Sequence, residues 1–518
     1  MNIGNSAALA VLASTLSAVA FSDGASEPGA APGGKTWRPS ERWIGVNLPY
    51  CLYHREVRKD ARYREEDFRL VAKLGFNFIR LPLDYRCWIK DGDWHQIDER
   101  ALDPLDEAIE WAKKYNLHVQ FCFHRIPGYS VNRWPAEKTD ILKNPDALVA
   151  AKRHWAYFAK RWRDVPNETL SFNLFNEPGD HAFSAEKLVE IEFALADAIH
   201  AEDPKRFIVC DGLNARPVKA LESRSGLVGQ AARGYSPSSL SNYGNAWMGE
   251  YAMRMKPRWP MYGFTSPLHA KGKAWYRPLV VSSAPAGEWT VRFGRMSAKT
   301  KFVVRSDGKE VASVSYVPKM NDPKWENAES NKVWHFVAAR PVDPWKFTLE
   351  KSADLSFSVD SGDWAEVELI SVEGADGRRA DFHGDFNWVA NPNSSPYRFR
   401  GFDQEIPFLK EGDPLTGEDW MEREFRGWVD CAERGNFVMI GECGASAVGY
   451  PIYIRWMEDQ LKVWHRHGFG FAFWTLYGNY GILDTRRKGA IECDFEGHRL
   501  DKGVYDLILK YSDIGKRL

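Results

Sequence analysis

Residues 170–180 read LSFNLFNEPGD, and this stretch decides how the rest of the chain is read. An apolar run, Leu170–Phe175, stops abruptly at Asn176-Glu177-Pro178-Gly179. Continuous rather than alternating hydrophobicity fits a strand buried on both faces, as in a parallel sheet. Such a strand delivers its last polar residues, Asn176 and Glu177, to the sheet edge, where a substrate has access. The stretch Asn436–Ala445, NFVMIGECGA, repeats the design, with an apolar strand ending at Gly441-Glu442. Two carboxylates on the ends of separate buried strands suit the cleavage of a glycosidic bond.

Working outward, one pattern recurs: amphipathic helix, short break, apolar strand. It is seen in AKLG-FNFIRL (Ala72–Leu81), KKYN-LHVQFCF (Lys113–Phe123), AERG-NFVMIG (Ala432–Gly441) and HRHG-FGFAFW (His465–Trp474). Gly75, Asn116, Gly435 and Gly468 stand where a helix C-terminus takes a left-handed residue. Strands are predicted at Trp43–Leu48, Asn77–Leu81, Leu117–Phe123, Leu170–Phe175, Phe207–Cys210, Gln230–Tyr235, Phe437–Gly441 and Phe469–Trp474. Eight strands with intervening helices predict an α/β fold, a (β/α)₈ TIM barrel. The spacing breaks once, where about two hundred residues separate the sixth and seventh strands and a βα unit needs about thirty. There the texture changes to short alternating runs such as EWTVRFG and ADLSFSVDSGDWAEVELISVEG, with turns at Asp307-Gly308 and Ser361-Gly362-Asp363. The expected organisation is a leader over 1–36, barrel strands one to six over 37–265, an inserted β-sandwich-like domain over 266–393, and strands seven and eight over 394–518. An insert after the sixth strand is expected on the barrel's catalytic face.

Composition narrows the function classes. Sixty-nine basic residues against 70 acidic ones leave a net charge of −1, with no electrostatic reason to expect nucleic acid or an anionic membrane. Twenty-two Trp, 20 Tyr and 29 Phe supply faces that stack on sugar rings, although they build cores equally well. Residues 7–21, AALAVLASTLSAVAF, read as a secretory signal peptide with Ala18-Val19-Ala20 at a cleavage site. Positions 2–6 carry no Lys or Arg, so a disordered Ala-rich leader is the alternative. The expectation is a secreted or periplasmic monomer, free of the membrane once the signal is removed. Seven scattered cysteines form no CxxC pair, which argues against a zinc or redox motif, and Cys122 and Cys210 read as small core residues.

Barrel enzymes build their sites at the C-terminal ends of the strands. The polar residues there are Asn47, Arg80, His124 with Arg125, Asn176 and Glu177, Asp211, Tyr235, Glu442 and Trp474. This ordered set resembles glycoside hydrolase family 5, the family of many cellulases and mannanases. The resemblance implies that Glu177, in Asn176-Glu177-Pro178, is the acid/base, and that Glu442 is the nucleophile. Arg80 in FIRLPLDY, His124 in FHRIPGYSVN and Trp474 in AFWTLYGNYGILD match strand-end residues of the family. So does the tail, with Gly481-Ile482-Leu483-Asp484 and Gly497-His498-Arg499-Leu500-Asp501. One departure matters: the family commonly has His-x-Tyr at the sixth strand, and this chain reads Arg233-Gly234-Tyr235. An arginine does not exchange a proton near neutral pH.

The expected catalytic pair is therefore Glu177 and Glu442, with Arg80, His124, Asn176, Tyr235 and Trp474 binding substrate, and with no metal or other cofactor. Arg80 and Tyr235 are expected to keep Glu442 ionised, and burial beside a second carboxylate to keep Glu177 protonated. Asn176 suits a sugar 2-hydroxyl, His124 the sugar or a site carboxylate, and Trp474 a stacking floor. Taken singly, either Glu reads equally as a helix N-terminal acid; the ordered pair favours catalysis. Tyr129 and Trp134 read either as cleft lining or as loop packing. Trp289, Trp325, Trp334, Trp345 and Trp364 of the insert read as sandwich core, with glycan binding the alternative. The partner expected is a β-linked oligo- or polysaccharide, a glucan or mannan. Two rivals stand beside that reading: an exo-acting glucosidase or transglycosylase, and a carbohydrate-binding protein whose barrel has lost activity.

Overall fold

The structure is a computed structural model that describes residues 36–50, 62–132, 136–179, 182–245, 257, 259–260, 264–273, 276, 278–331, 335–375, 377, 379–386, 397–399, 417–446 and 448–516. The 7–21 segment, Cys51, Trp134, Asp180 and Trp334 lie outside the described residues. All eight predicted strands are present: β1 Ile44–Asn47, β2 Phe78–Asp84, β3 His118–Ile126, β4 Leu170–Asn173, β5 Ile208–Asp211, β6 Val228–Gly234, β7 Val438–Cys443 and β8 Gly470–Phe473. They pair in the order β2-β1-β8-β7-β6-β5-β4-β3, every pair is parallel, and β3 returns to β2. The sheet is thus a closed (β/α)₈ barrel. Every residue of the eight strands is buried, which is why the runs are continuously apolar.

Helices α1 Glu65–Lys73, α2 Asp103–Lys114, α3 Pro145–Arg161 and α4 Ala185–Glu202 follow β1 to β4. Helices α5 Gly417–Glu433, α6 Tyr450–Arg466 and α7 Lys502–Tyr511 complete the second half. Between β5 and β6 only a short 3₁₀ segment, Lys219–Arg224, bridges the strands. Gly75, Asn116, Gly435 and Gly468 have φ of 75°, 53°, 86° and 70°, the left-handed conformation expected of residues that end a helix.

The barrel interior is filled in layers. At the bottom Trp43 stacks on His118 at 4.1 Å and on Phe78 at 5.0 Å, with Phe207 against its edge. Burial pushes His118 down to about 3, so its ring is neutral. Above it, the Ser171 hydroxyl meets His118 Nε2 at 2.8 Å and accepts from Gln120 Nε2 at 3.1 Å. The uppermost layer holds Arg80, Cys122 and Asn173 and forms the floor of the candidate site.

The wall between α4 and β5 encloses an unusual group. Glu192 is buried, with Cys210 and Asp211 as ionisable neighbours. Burial first, and Asp211 second, hold its carboxyl well above the usual range. The folded chain therefore keeps a proton that the unfolded chain releases once the pH exceeds the ordinary glutamate value. Stability is lost as the pH climbs from there toward the folded value, at about 1.4 kcal/mol per pH unit. Glu192→Gln should flatten this slope, so that its melting temperature falls less than the wild type's between pH 5 and 8. Parallel melting curves against pH would refute the assignment.

The chain divides into two compact units, Ala20–Arg258 with Met421–Leu518, which contains the barrel, and a β-rich unit within Trp259–Trp420. The second carries two sheets. One runs through Gly287–Ser297 and Trp364–Gly374, the other through Thr300–Ser306 and Ala353–Ser361. Trp289, Phe293, Phe302 and Phe357 fill a shared core, with Trp325 and Trp345 packed half-buried against it. Trp364 is buried as well. Asp307-Gly308 and Gly362-Asp363 fall between strands, while Ser361 closes the strand before its turn. Among the described residues, no helix is long and apolar enough to cross a membrane.

Candidate active site

Arg80, near the middle of β2, is the hub of the upper layer. Its Nη1 donates to Glu442 Oε1 at 2.6 Å and to Asn47 Oδ1 at 2.9 Å. Its Nη2 donates to Asn173 Oδ1 at 2.9 Å, Asn176 Oδ1 at 2.8 Å and Cys122 Sγ at 2.9 Å. Asn47 in turn donates to the carbonyls of Gly441 and Phe473, both at 3.0 Å, which ties β1 to β7 and β8 at this level. One planar fork thus joins four strands and orients Glu442 and Asn176 together.

Glu442 sits at a register shift. Ile440 pairs with Ala232 and Glu442 with Arg233, so Gly441 is the extra residue of a bulge in β7. Bulges re-aim side chains beside active sites, and this one presents Glu442 to both Arg80 and the Tyr235 hydroxyl, which donates to Oε2 at 3.1 Å. The Glu442 side chain is 4% exposed and that of Glu177 32%, so the first is sunk in the floor and the second faces the opening.

Glu177 lies four residues beyond β4 in a left-handed conformation, φ 49°, which costs a non-glycine residue free energy. Its backbone is pinned from two sides. The amide donates to Asp211 Oδ2 at 2.9 Å, and the carbonyl accepts from Tyr129 Oη at 2.7 Å. Burial, then the nearby Glu442, raise its carboxyl above the ordinary value, while Arg233 opposes both. That balance favours a group able to hold a proton closer to neutral pH.

The remaining expected residues converge here. Asn176 Nδ2 stands 3.5 Å from His124 Nε2. Burial, together with the Arg80 and Arg233 charges, holds His124 far below its usual value, so the ring is neutral. Its centroid is 5.6 Å from that of Trp474, whose side chain is half-buried and whose amide donates to the Cys443 carbonyl at 2.8 Å. No hydrogen bond joins His124 to a carboxylate among the described residues; it packs against Asn176 and Trp474 instead. A cavity of ≈340 Å³ opens beside Glu177, lined by Val131, Pro178, Asn214, Arg233, Tyr235 and Asn242 among others.

Several residues outside the expected catalytic and substrate-binding set hold the site together. Asp211 accepts from Asn173, from the Glu177 amide and from Arg233. Asn173 bonds Arg80, and Tyr129 clasps the Glu177 loop. Cys122, read as a core residue, is buried and also accepts from Arg80. The signal for Asn173 was present: Ser171 and Asn173 alternate inside an otherwise apolar strand, marking the face turned to the barrel interior.

Residues 37–250 match the family model described as Cellulase (glycosyl hydrolase family 5). Endoglucanase C of Acetivibrio thermocellus is 32% identical over 139 residues, 26% of this chain and 39% of that protein. Endoglucanase 3 of Fibrobacter succinogenes is 24% identical over 219 residues, 39% of this chain and 32% of that protein. The chain thus spans well under half the length of these curated relatives. A solved structure described as a glycoside hydrolase superposes over 91% of this chain and 99% of its own, with a TM-score of 0.58 and 20% identity. At that identity the likeness speaks for the fold alone.

Proposed function

We propose, from the match of residues 37–250 to the Cellulase (glycosyl hydrolase family 5) model, that the chain is a retaining glycoside hydrolase acting on β-linked glucan or mannan. One observation carries the reading: carboxylates from the ends of β4 and β7 meet at a single guanidinium, one sunk and doubly hydrogen-bonded, the other open to a cavity. Glu442 attacks the anomeric carbon while Glu177 gives its proton to the leaving oxygen. Water then attacks the glycosyl ester, returning its proton to Glu177 and freeing Glu442. Asn176, fixed by Arg80, is placed to bind the sugar 2-hydroxyl, a contact that strengthens in the transition state. Trp474 offers a ring face for stacking, His124 a neutral imidazole, and Tyr235 a hydroxyl already directed at the nucleophile.

The test is a screen across soluble cellulose, mixed-linkage glucan, mannan and xyloglucan, with proton NMR of the first product. The expected first product is the β-anomer. Initial appearance of the α-anomer would exclude double displacement. Product sizing separates mid-chain cleavage from release of terminal sugars.

A further inference from the structure

Arg233 stands where family 5 enzymes commonly carry a histidine, and its guanidinium faces Glu177, Asp211 and Glu442. Nε donates to Glu177 Oε1 at 2.8 Å, while Nη2 bonds Asp211, donates to Asn176 Oδ1 at 2.8 Å and stands 3.5 Å from Glu442 Oε1. The side chain is only 6% exposed. It lies close against β7: a Cβ on Gly441, the bulge residue, would lie 2.9 Å from Arg233 Nη1. Asp211 supplies a buried opposite charge, without which a second buried cation beside Arg80 would be costly.

We propose that Arg233 is a counter-ion shared by the two carboxylates, a positioning residue that accompanies the negative charge from Glu442 in the free protein to Glu177 in the glycosylated one. The inference rests on the double-displacement reading. In the free protein Glu442 is charged and Glu177 protonated. Attack forms the C1–O ester bond to Glu442, breaks the glycosidic C1–O bond and moves the Glu177 proton to the leaving oxygen. The ester is neutral and Glu177 then carries the charge. With Arg80 and Arg233 positive and Asp211 negative, the site sums to zero before and after this step. An arginine supplies its charge at every working pH, whereas a neutral histidine at this position would leave the site one charge negative throughout.

Glu177 is faced by Arg233 from β6 and Tyr235 just beyond it, Glu442 from β7, Asp211 from β5 and Tyr129 from the segment after β3, while Arg80 and His124 lie against the neighbouring Asn176. Arg233 is its directly bonded cation, so its removal leaves burial and two carboxylates acting on Glu177 in the same direction.

The test follows the Glu177 resonance by carbon NMR in protein labelled at glutamate Cδ, assigned by its absence in Glu177→Gln. In Arg233→Gln the titration midpoint should rise by about one pH unit or more, a tenfold change in the acid constant. Arg233→Lys keeps the charge but loses the fork, and should raise it by about half a unit. A midpoint unmoved in the folded glutamine variant overturns the proposal. If only the lysine variant folds, an unmoved midpoint there overturns it equally. Because the titration needs no substrate, failure to cleave any glycan would count against the proposed function, and an unmoved midpoint against the role of Arg233. Where turnover is measured, the alkaline limb of kcat/KM should move upward with the midpoint.

Discussion

Glutamine in place of Glu442 should lower kcat on a β-glucan by roughly 10⁴–10⁶-fold, the scale on which loss of an acting nucleophile is felt. The carboxylate is the group that Arg80 grips at 2.6 Å and Tyr235 at 3.1 Å, and an amide in the same place has no charge with which to attack the anomeric carbon. The change also removes one partner of a buried ion pair, and breaking such pairs costs about 3–5 kcal/mol. Arg80 keeps Asn47, Asn173 and Asn176 as acceptors, so the loss should fall short of that range and the barrel should still form. Circular dichroism and a melting curve separate the two effects. Turnover near the wild-type rate in a folded Glu442→Gln protein would remove it from the mechanism.

Glu177→Gln should cost about 10²–10⁴-fold on a glucan, the usual contribution of general acid–base catalysis. Its signature is selective. A substrate with a strongly acidic leaving phenol needs no proton, so its glycosylation step should survive while hydrolysis of the intermediate slows. Azide, a nucleophile that needs no base, should then restore kcat and yield a glycosyl azide of retained configuration. Equal losses on glucan and activated phenyl glycoside, with no response to azide, would mean that Glu177 only shapes the site. The left-handed Glu177 backbone, held by Asp211 and Tyr129, places the carboxyl on the cavity side, where a leaving group has room.

The barrel was legible because burial on both faces leaves a plain signature. Eight apolar runs were placed to within a few residues, and the left-handed residues closing four helices were found by type. The turns of the inserted unit announced themselves through Asp-Gly and Gly-Asp pairs. Less legible were residues whose part depends on partners far along the chain. Asp211 looked like one strand-end acid among several, yet it receives Arg233, Asn173 and the Glu177 amide from three other elements. Tyr129 read equally as cleft lining or loop packing, and neither reading foretold that its hydroxyl closes on Glu177 across 48 residues of sequence. The bulge at Gly441 was hidden for another reason: the strand's composition is unchanged by a one-residue shift in register, while the direction of every later side chain is not.

The sequence by itself determined the strand order, the interruption after the sixth strand and the ordered pair Glu177 and Glu442. These follow from local hydrophobic pattern and from which residue ends each strand. Only the tertiary structure decided that Arg233 lies against Glu177, Asp211 and Glu442 together, and that His124 packs on Trp474 instead of bonding a carboxylate. Closure of the barrel brings residues more than three hundred positions apart, such as Arg80 and Glu442, to hydrogen-bonding distance. Electrostatic coupling depends on that separation in space and on burial, and neither can be read along the chain.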